Sequence, residues 1–573
     1  MYVCALKKLI NHLFTKKLLK MTEKIKLSMK DNPAIRWTAL LFLAFAMFCA
    51  YIFMDILSPV KSILESTKGW NSDAFGTYAG SETFLNVFIF FLIIAGIILD
   101  KMGVRFTAIL SGIVMIIGAL LNWYSVTEMF KGSGLEIWFT NNLNYIPGFE
   151  ELGVSPFYKG MPASAKFASV GFMIFGCGVE MAGITVSRGI VKWFKGRELA
   201  LAMGSEMALA RLGVATCMIF SPLIAKTKIL GSTDVSNSVA FGVILLMIAL
   251  IMFIAYFFMD KKLDAQVGES EEKDEPFKIK DIGKIFKSYG FWLVALLCVL
   301  YYSAIFPFQK YAVNMLECNL SFTELPKDSI WSSGYIVILG YIIMLAVAIA
   351  SFSSNFCKKN LRTFLLTISG ILLLVFCYMA YKQQSAGAIF SVFPLLAVGI
   401  TPILGNYIDK KGKAASMLML GSILLIVCHL TFAFVLPLFK GQEIAGVILA
   451  FSTILVLGAS FSLVPASLWP SVPKLVDNNV IGSAYALIFW IQNIGLWLFP
   501  LLIGKILTSS NTDISAKVKD GLLTSKEASI MYDYTNPLIM LALLGVLAFA
   551  LGFILKKIDK KKGYGLELPN IEK

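Results

Sequence analysis

Charge is scarce in this sequence. Only 15% of its 573 residues are Asp, Glu, Lys or Arg, whereas a water-soluble domain carries roughly a quarter. Beside a hydrophobic fraction of 57% and a mean hydropathy of +0.76, that scarcity excludes a soluble enzyme, a disordered chain and a nucleic-acid binder. Histidine is nearly absent, with two residues, so no histidine-rich catalytic or zinc centre can be built and no metal is expected. The nine cysteines are scattered, mostly inside apolar runs and without a C-x-x-C pair; they read as small hydrophobes rather than a disulfide framework. No G-x-x-x-x-G-K-[ST] loop occurs, which removes ATP as the direct energy source. No nucleophile–base set appears either, so neither an enzyme nor a cofactor is expected. The first 35 residues are too basic and lack the apolar stretch of a cleavable signal. They are expected to be a basic tail, or the result of a mis-assigned start, with Met21 or Met29 the true one.

What is present is a series of long apolar runs. A bilayer core of about 30 Å needs about 20 apolar residues per helix, and fourteen segments qualify. They lie at about 37–60, 74–99, 106–126, 164–191, 199–226, 237–259, 290–313, 329–353, 362–381, 385–407, 414–437, 443–466, 480–507 and 535–556. Open sheets do not survive in hydrocarbon, so the fold class is an all-α polytopic membrane protein. The net charge of +15 collects before the first segment, at Lys101 and Arg105, at Lys192, Lys195 and Arg197, at Lys358, Lys359 and Arg362, at Lys410, Lys411 and Lys413, and from Lys556 to Lys562. All of these fall on one side if the segment count is even, and the positive-inside rule makes that side, with both termini, cytoplasmic. The expected organisation is a basic tail (1–35), a six-helix bundle (36–259), a central cytoplasmic loop (260–288), a second bundle (289–558) and a short tail (559–573). The end of the loop, Phe277 to Phe286, has the spacing of a short interfacial amphipathic helix.

A motif occurs twice. Gly96-Ile-Ile-Leu-Asp100-Lys101-Met-Gly103-Val-Arg105 and Gly405-Asn-Tyr-Ile-Asp409-Lys410-Lys-Gly412-Lys413 both read G-x-x-x-D-K-x-G followed by a basic residue. An Asp closing one helix can meet the basic residues or N-terminus of a neighbour, Gly permits the turn, and the cations stay in water. The pair resembles the motif of the major facilitator superfamily, which is carried between helices two and three and often repeated between eight and nine. The resemblance implies a fold of six plus six helices. The second copy follows the fourth segment of the second bundle rather than the second, so the hairpin at about 329–381 is read as inserted into the pattern. A peripheral structural role is its simplest explanation.

Ionisable groups at the bilayer centre cost about 2.5–3.5 kcal/mol each and are functional candidates. Glu180 lies 15 residues before Lys195 and Arg211 lies 16 after it, so a rise of about 1.5 Å per residue puts both near the midplane on adjacent antiparallel helices. They can pair with one another or hold the two charges of a zwitterion. Asp55 and Glu82 are expected in the outer half, lining a vestibule or contacting substrate directly; Lys310, near an outer helix end, is explained by snorkelling or by substrate contact. Glu206, about 140° around the helix from Arg211, is either a proton site or a packing group. His429 is a titratable site or an interhelical hydrogen-bond donor, and Gln492 with Asn493 binds a peptide-like ligand or a facing helix.

Longer strings are more specific: Lys192-Trp-Phe-Lys-Gly-Arg-Glu-Leu-Ala200, Met207-Ala-Leu-Ala-Arg211, Tyr301-Tyr302-Ser-Ala-Ile-Phe-Pro-Phe308, Leu468-Trp-Pro470, Gly482-Ser-Ala-Tyr485 and Ile491-Gln-Asn-Ile-Gly495. They resemble the lysosomal dipeptide transporters of that superfamily and their bacterial relatives. The resemblance implies that Arg211 takes a dipeptide carboxylate and Glu180 its ammonium, with Tyr301 and Tyr302 among the substrate contacts. The expected function is secondary transport by alternating access of dipeptides or similar small zwitterions, by uniport or with protons on Glu82, Glu180, Glu206 or His429. The alternatives are a small-carboxylate exchanger of the same superfamily and, more distantly, a membrane receptor. The inserted hairpin, the long loop at 127–163 and the basic start depart from the animal pattern. They favour a bacterial plasma membrane over a lysosome and make an accessory subunit unnecessary; the partners expected are a small solute and membrane lipid. A sequon at Asn319-Leu-Ser321 is too short a match to overturn this.

Overall fold

In the computed structural model the described residues are 29–569, apart from 151–153, 196, 229–232, 268–282, 284, 324, 327 and 477–480. Most of the basic tail and the amphipathic stretch of the central loop therefore lie outside the described residues. Helices account for the rest of the architecture, and none of the described residues forms a strand. The N-terminal half contains α1 (Pro33–Met54), the short α2 (Lys61–Lys68), α3 (Ser72–Phe88), α4 (Phe91–Val126), α5 (Gly134–Asn142), α6 (Ala163–Phe194), α7 (Leu199–Ala225) and α8 (Val235–Val267). The C-terminal half begins with α9 (Tyr289–Leu320), followed by the hairpin of α10 (Gly334–Ser354) and α11 (Lys359–Lys382). It continues with α12 (Ala386–Phe390), α13 (Val392–Lys411), α14 (Ala414–Leu430), α15 (Glu443–Leu475) and α16 (Ile481–Ser510), then α17 (Thr512–Lys519), α18 (Ser525–Ala528) and α19 (Thr535–Lys562).

Local chemistry sets the helix ends. The Asn32 side chain accepts from the Ala34 amide with Pro33 in the first turn, Asn71 accepts from Ala74 and Ser288 from Phe291. Each satisfies a backbone donor that the helix itself leaves free. Among the described residues, thirteen helices are long and apolar enough to cross a membrane. The second expected segment is the one they omit. It breaks at Phe90, which caps α4 in the left-handed region (φ 54°), leaving a 17-residue α3 above the break. Gly103 (φ 76°) then turns the chain into the third segment.

Two further boundaries move. Asp260, expected in the central loop, is inside α8 and 1% exposed, because Lys192 (2.7 Å), Trp193 Nε1 (3.2 Å) and Tyr256 OH (3.2 Å) all donate to it. The residues just after α19 are not a free tail. The backbone carbonyls of Leu566 and Glu567 accept from the amides of Ala414 and Lys413, each at 3.1 Å.

The face that carries Arg105, Lys192, Lys413 and Lys556 is termed the basic face below. Away from it the two halves are pressed together. A Cβ on Gly76 would stand 2.4 Å from the Pro500 carbonyl, one on Gly80 2.4 Å from that of Trp497, and one on Gly504 2.4 Å from that of Ser72. Such approach of α3 to α16 is what small residues permit in membranes. The hairpin lies against α13, with Ser351 over Gly399, and reaches α7 through Tyr341, whose hydroxyl is 2.9 Å from Thr216 Oγ1. It thus spans the seam between the halves on one flank.

Candidate substrate site

Glu180 and Arg211 both face the opposite half of the molecule. Asn493 Nδ2 on α16 donates to Glu180 Oε1 at 3.0 Å. The Arg211 guanidinium sits over the rings of Phe461 (4.9 Å) and Phe306 (5.0 Å) from α15 and α9, and of Tyr51 (5.9 Å) from α1. Rings offer a guanidinium their negative faces but no proton acceptor. Arg211 has no carboxylate within 4.0 Å among the described residues, so the two charges do not form the mutual salt bridge that the sequence left open.

The same helix faces are empty toward the basic side. Gly204, seven residues from Arg211 and so on its face, has nothing within 4 Å of an added Cβ, and the same holds for Gly183, three residues beyond Glu180. Met207, one turn from Arg211, is 50% exposed. A cleft between the halves therefore opens to the basic face and ends at Glu180 and Arg211.

On the far side of these residues the seam is closed by ionic contacts. Lys310 Nζ lies 3.0 Å from Asp55 Oδ1 and 3.5 Å from Glu82 Oε2, donates to the Met54 carbonyl at 2.7 Å, and is buried. Gln309 donates to Asp55 Oδ2 at 2.6 Å and Ser58 to Oδ1 at 3.1 Å. Lys310 is therefore no snorkelling side chain, and Asp55 and Glu82 line no open vestibule; the three join the halves. A second cluster repeats the device further out. Lys61 bonds Glu65 and Asn314, each at 3.1 Å, and Tyr532 donates to Glu65.

The remaining candidates divide. Tyr302 is beside Phe306 and accepts from Trp469 Nε1 at 3.2 Å, on the wall of the cleft. Tyr301 instead points into the C-terminal half, where its hydroxyl meets Ser422 and the Leu418 carbonyl, so it is remote from Arg211. Gln492 accepts from the Cys298 thiol at 3.4 Å, again within that half. His429 is fully buried, with Nε2 3.0 Å from the Ala304 carbonyl, a contact that serves packing. Glu206 is 9% exposed and has no hydrogen-bond or ion-pair partner among the described residues. Asn319 is 8% exposed and donates to the Met315 carbonyl, so the sequon is closed to a modifying enzyme here.

Comparison with known proteins decides the family. The family model of the Major Facilitator Superfamily matches residues 43–384. The chain belongs to that superfamily. Among curated relatives, the lysosomal dipeptide transporter MFSD1 of Bos taurus is 26% identical over 344 residues, 59% of this chain and 58% of that protein. Its counterpart in Danio rerio is 24% identical over 481 residues, 82% of this chain and 80% of that protein. The chain thus spans less than two thirds of the bovine protein. The nucleoside transporter NupG shares the fold, with a TM-score of 0.53 at 13% identity over 91% of this chain and 99% of that one.

The superfamily motif explains the basic face. Asp100 pairs with Arg188 on α6, and Arg105 reaches Asp264 (2.7 Å) and Asp260 (3.9 Å) on α8. Asp100 and Arg105 thus staple three helices of one half, while Gly96 and Gly103 stand in open space. In the second copy Gly405 has open space beside it, while a Cβ on Gly412 (φ 74°) would stand 2.3 Å from the Glu567 carbonyl. The end of that copy, Gly412 and Lys413, is thereby tied to the segment after α19. Residues that reading the sequence missed are Gln309, Arg188, Asp264 and the rings of Tyr51, Phe306 and Phe461. The charges among them carried a signal in their complementary signs at matching depth; the rings carried none.

Proposed function

We propose that this major facilitator carries dipeptides or similar small zwitterions by alternating access, with Arg211 receiving the carboxylate and Glu180, steadied by Asn493, the ammonium. The observation that carries this reading is an arginine without an acidic partner among the described residues and a carboxylate of opposite charge at the end of one cleft. A guanidinium can bind a carboxylate through two parallel hydrogen bonds, and a zwitterion matched at both ends loses less on leaving water than one matched at neither. MFSD1 relatives named as dipeptide transporters support the substrate class. The excess of Lys and Arg on the basic face supports a cytoplasmic location for that face and for both ends of the described chain. A bacterial plasma membrane suits the inserted hairpin and basic start, and a lysosomal membrane is the alternative.

Purified protein in liposomes tests the reading. Uptake of Ala-Ala should exceed uptake of N-acetyl-Ala-Ala at least tenfold, and Glu180→Gln should abolish the difference. Equal uptake of both forms by the unaltered protein would refute the role of Glu180. The free guanidinium also supports a second reading, a small-carboxylate carrier; there Arg211→Gln stops transport while Glu180→Gln leaves it intact. Proton coupling is favoured by one observation, the buried Glu206 without a partner among the described residues, and would appear as dipeptide-driven acidification inside the liposomes that Glu206→Gln removes.

A further inference from the structure

The two ends of the candidate site differ in chemistry. Around Glu180 the opposing surface is amide, from Asn493. Around Arg211 it is aromatic, and the rings continue along the C-terminal half toward the basic face. Phe306 and Phe461 stand 5.6 Å apart, and Tyr302 lies 5.3 Å from Phe306 and 6.3 Å from Trp469. Trp469 in turn lies 4.9 Å from Phe489, which is 40% exposed. The polar atoms of this wall are already engaged: Trp469 Nε1 donates to Tyr302 OH, and the Tyr485 hydroxyl donates to the Trp469 carbonyl at 3.0 Å. Phe461 and Tyr302 are themselves buried at 3% and 8%, so the apolar ring surface on offer is that of the half-buried Phe306 and Trp469 and of the exposed Phe489.

We propose that this ring wall is the pocket for the side chain of the carboxylate-bearing residue, so that the carrier selects dipeptides with an aromatic C-terminal residue. The inference rests on the assignment of the carboxylate to Arg211. A carboxylate in hydrogen-bond contact with that guanidinium is about 2.8 Å from it, which brings its α-carbon, one bond further on, beside rings centred 4.9 and 5.0 Å from Cζ. The ring surface within reach of the side chain on that carbon is Phe306, backed by Phe461, and, past Tyr302, that of Trp469. An aromatic side chain gains buried apolar area and edge-to-face contact there. A lysine side chain is repelled by the guanidinium, and glycine leaves the wall wet. The N-terminal residue, held near Glu180, faces the Asn493 amide.

The test is a KM series in liposomes with Ala-Phe, Phe-Ala, Ala-Gly and Ala-Lys. Burial of one phenyl group corresponds to a KM for Ala-Phe about tenfold or more below that for Ala-Gly, with Phe-Ala gaining little and Ala-Lys weakest. Phe306→Leu should narrow the ratio of Ala-Phe to Ala-Gly at least threefold. The series on the unaltered protein decides the matter even if that variant does not fold. Equal KM values across the C-terminal residues, or a preference that follows the N-terminal residue, would overturn this inference alone. Failure to move any of the four peptides would overturn the dipeptide reading and this inference with it.

Discussion

Replacing Lys310 with Met should release the closed end of the molecule. In the present conformation Lys310 is the ion-pair partner of two buried carboxylates, Asp55 at 3.0 Å and Glu82 at 3.5 Å. Without the ammonium, Asp55 keeps donors from Gln309 and Ser58, whereas Glu82 loses its ion pair. Removing one partner of a buried pair costs about 3–5 kcal/mol; the donors that remain to Asp55 place this case near 3. That cost falls on the state in which the seam is shut, because parting the halves lets water reach both carboxylates. At 1.4 kcal/mol per decade, about 3 kcal/mol shifts the balance between the two states roughly a hundredfold. A cysteine at Thr83, 5% exposed here, reports the shift in a background lacking the native cysteines. A membrane-impermeant maleimide added to the face opposite the basic one should label it about a hundred times faster in Lys310→Met, and Lys310→Arg should restore slow labelling. Unchanged labelling in a folded Lys310→Met protein would refute the assignment of this triad as the bolt between the halves.

Asp260→Asn should lower stability by about 2–3 kcal/mol in detergent thermal unfolding, since a buried charge with three donors is lost, while Asp264 still neutralises Lys192 and Arg105 at 2.8 and 2.7 Å. Asp100→Asn, whose pair with Arg188 is partly exposed, should cost under ~1 kcal/mol in the same assay. Gly176→Ala should prevent assembly of a monodisperse protein, because its Cβ would fall 1.8 Å from the Glu82 carbonyl oxygen; Gly183→Ala, with nothing within 4 Å, should be neutral or stabilising by up to ~1 kcal/mol. The hydrogen bond from Arg36 holds the Glu198 carboxyl below its ordinary value of 4.5. A depressed carboxylate contributes stability that is whole above its unfolded value and fades as pH falls through the folded one. Glu198→Gln should therefore melt earlier than the unaltered protein at neutral pH, the two curves converging only in acid below that value.

Local rules carried much of the fold because they are local. An apolar run of about 20 residues states its own fate, and the helical rise put Glu180 and Arg211 near one level without any knowledge of their neighbours. The partners were another matter. Asn493 is 313 residues from Glu180, and the carboxylates that claim Lys310 belong to the other half of the chain, so a lysine near a helix end looked like one reaching for water. The break at Phe90 was hidden for the opposite reason. Phe88-Ile-Phe-Phe91 is uniformly apolar and carries neither glycine nor proline to mark it. Asp260 was mistaken for loop because a charge at a helix end ordinarily faces solvent; only the arrival of Lys192, Trp193 and Tyr256 from their own positions makes it a buried post.

The seam treats charge in two ways along its length, and one cost explains both. At the closed end the buried cations that bridge the halves are matched inside the protein, Lys310 by Asp55 and Glu82 and Lys61 by Glu65, since no water reaches them. At the end of the open cleft Glu180 and Arg211 stand unmatched by counter-ions among the described residues, which access of water to the cleft makes tolerable. Closure of the basic side would remove that water. Sealed empty, each would bear a dehydration cost of several kcal/mol, and Asn493 and three rings are poor substitutes for counter-charges. A solute with an ammonium at one end and a carboxylate at the other supplies both at once. On the proposed function the loaded carrier therefore crosses more readily than the empty one, and exchange of labelled for unlabelled dipeptide across the liposome membrane should outrun net uptake. Equal rates would mean that the pair is neutralised by some other route when the cleft closes.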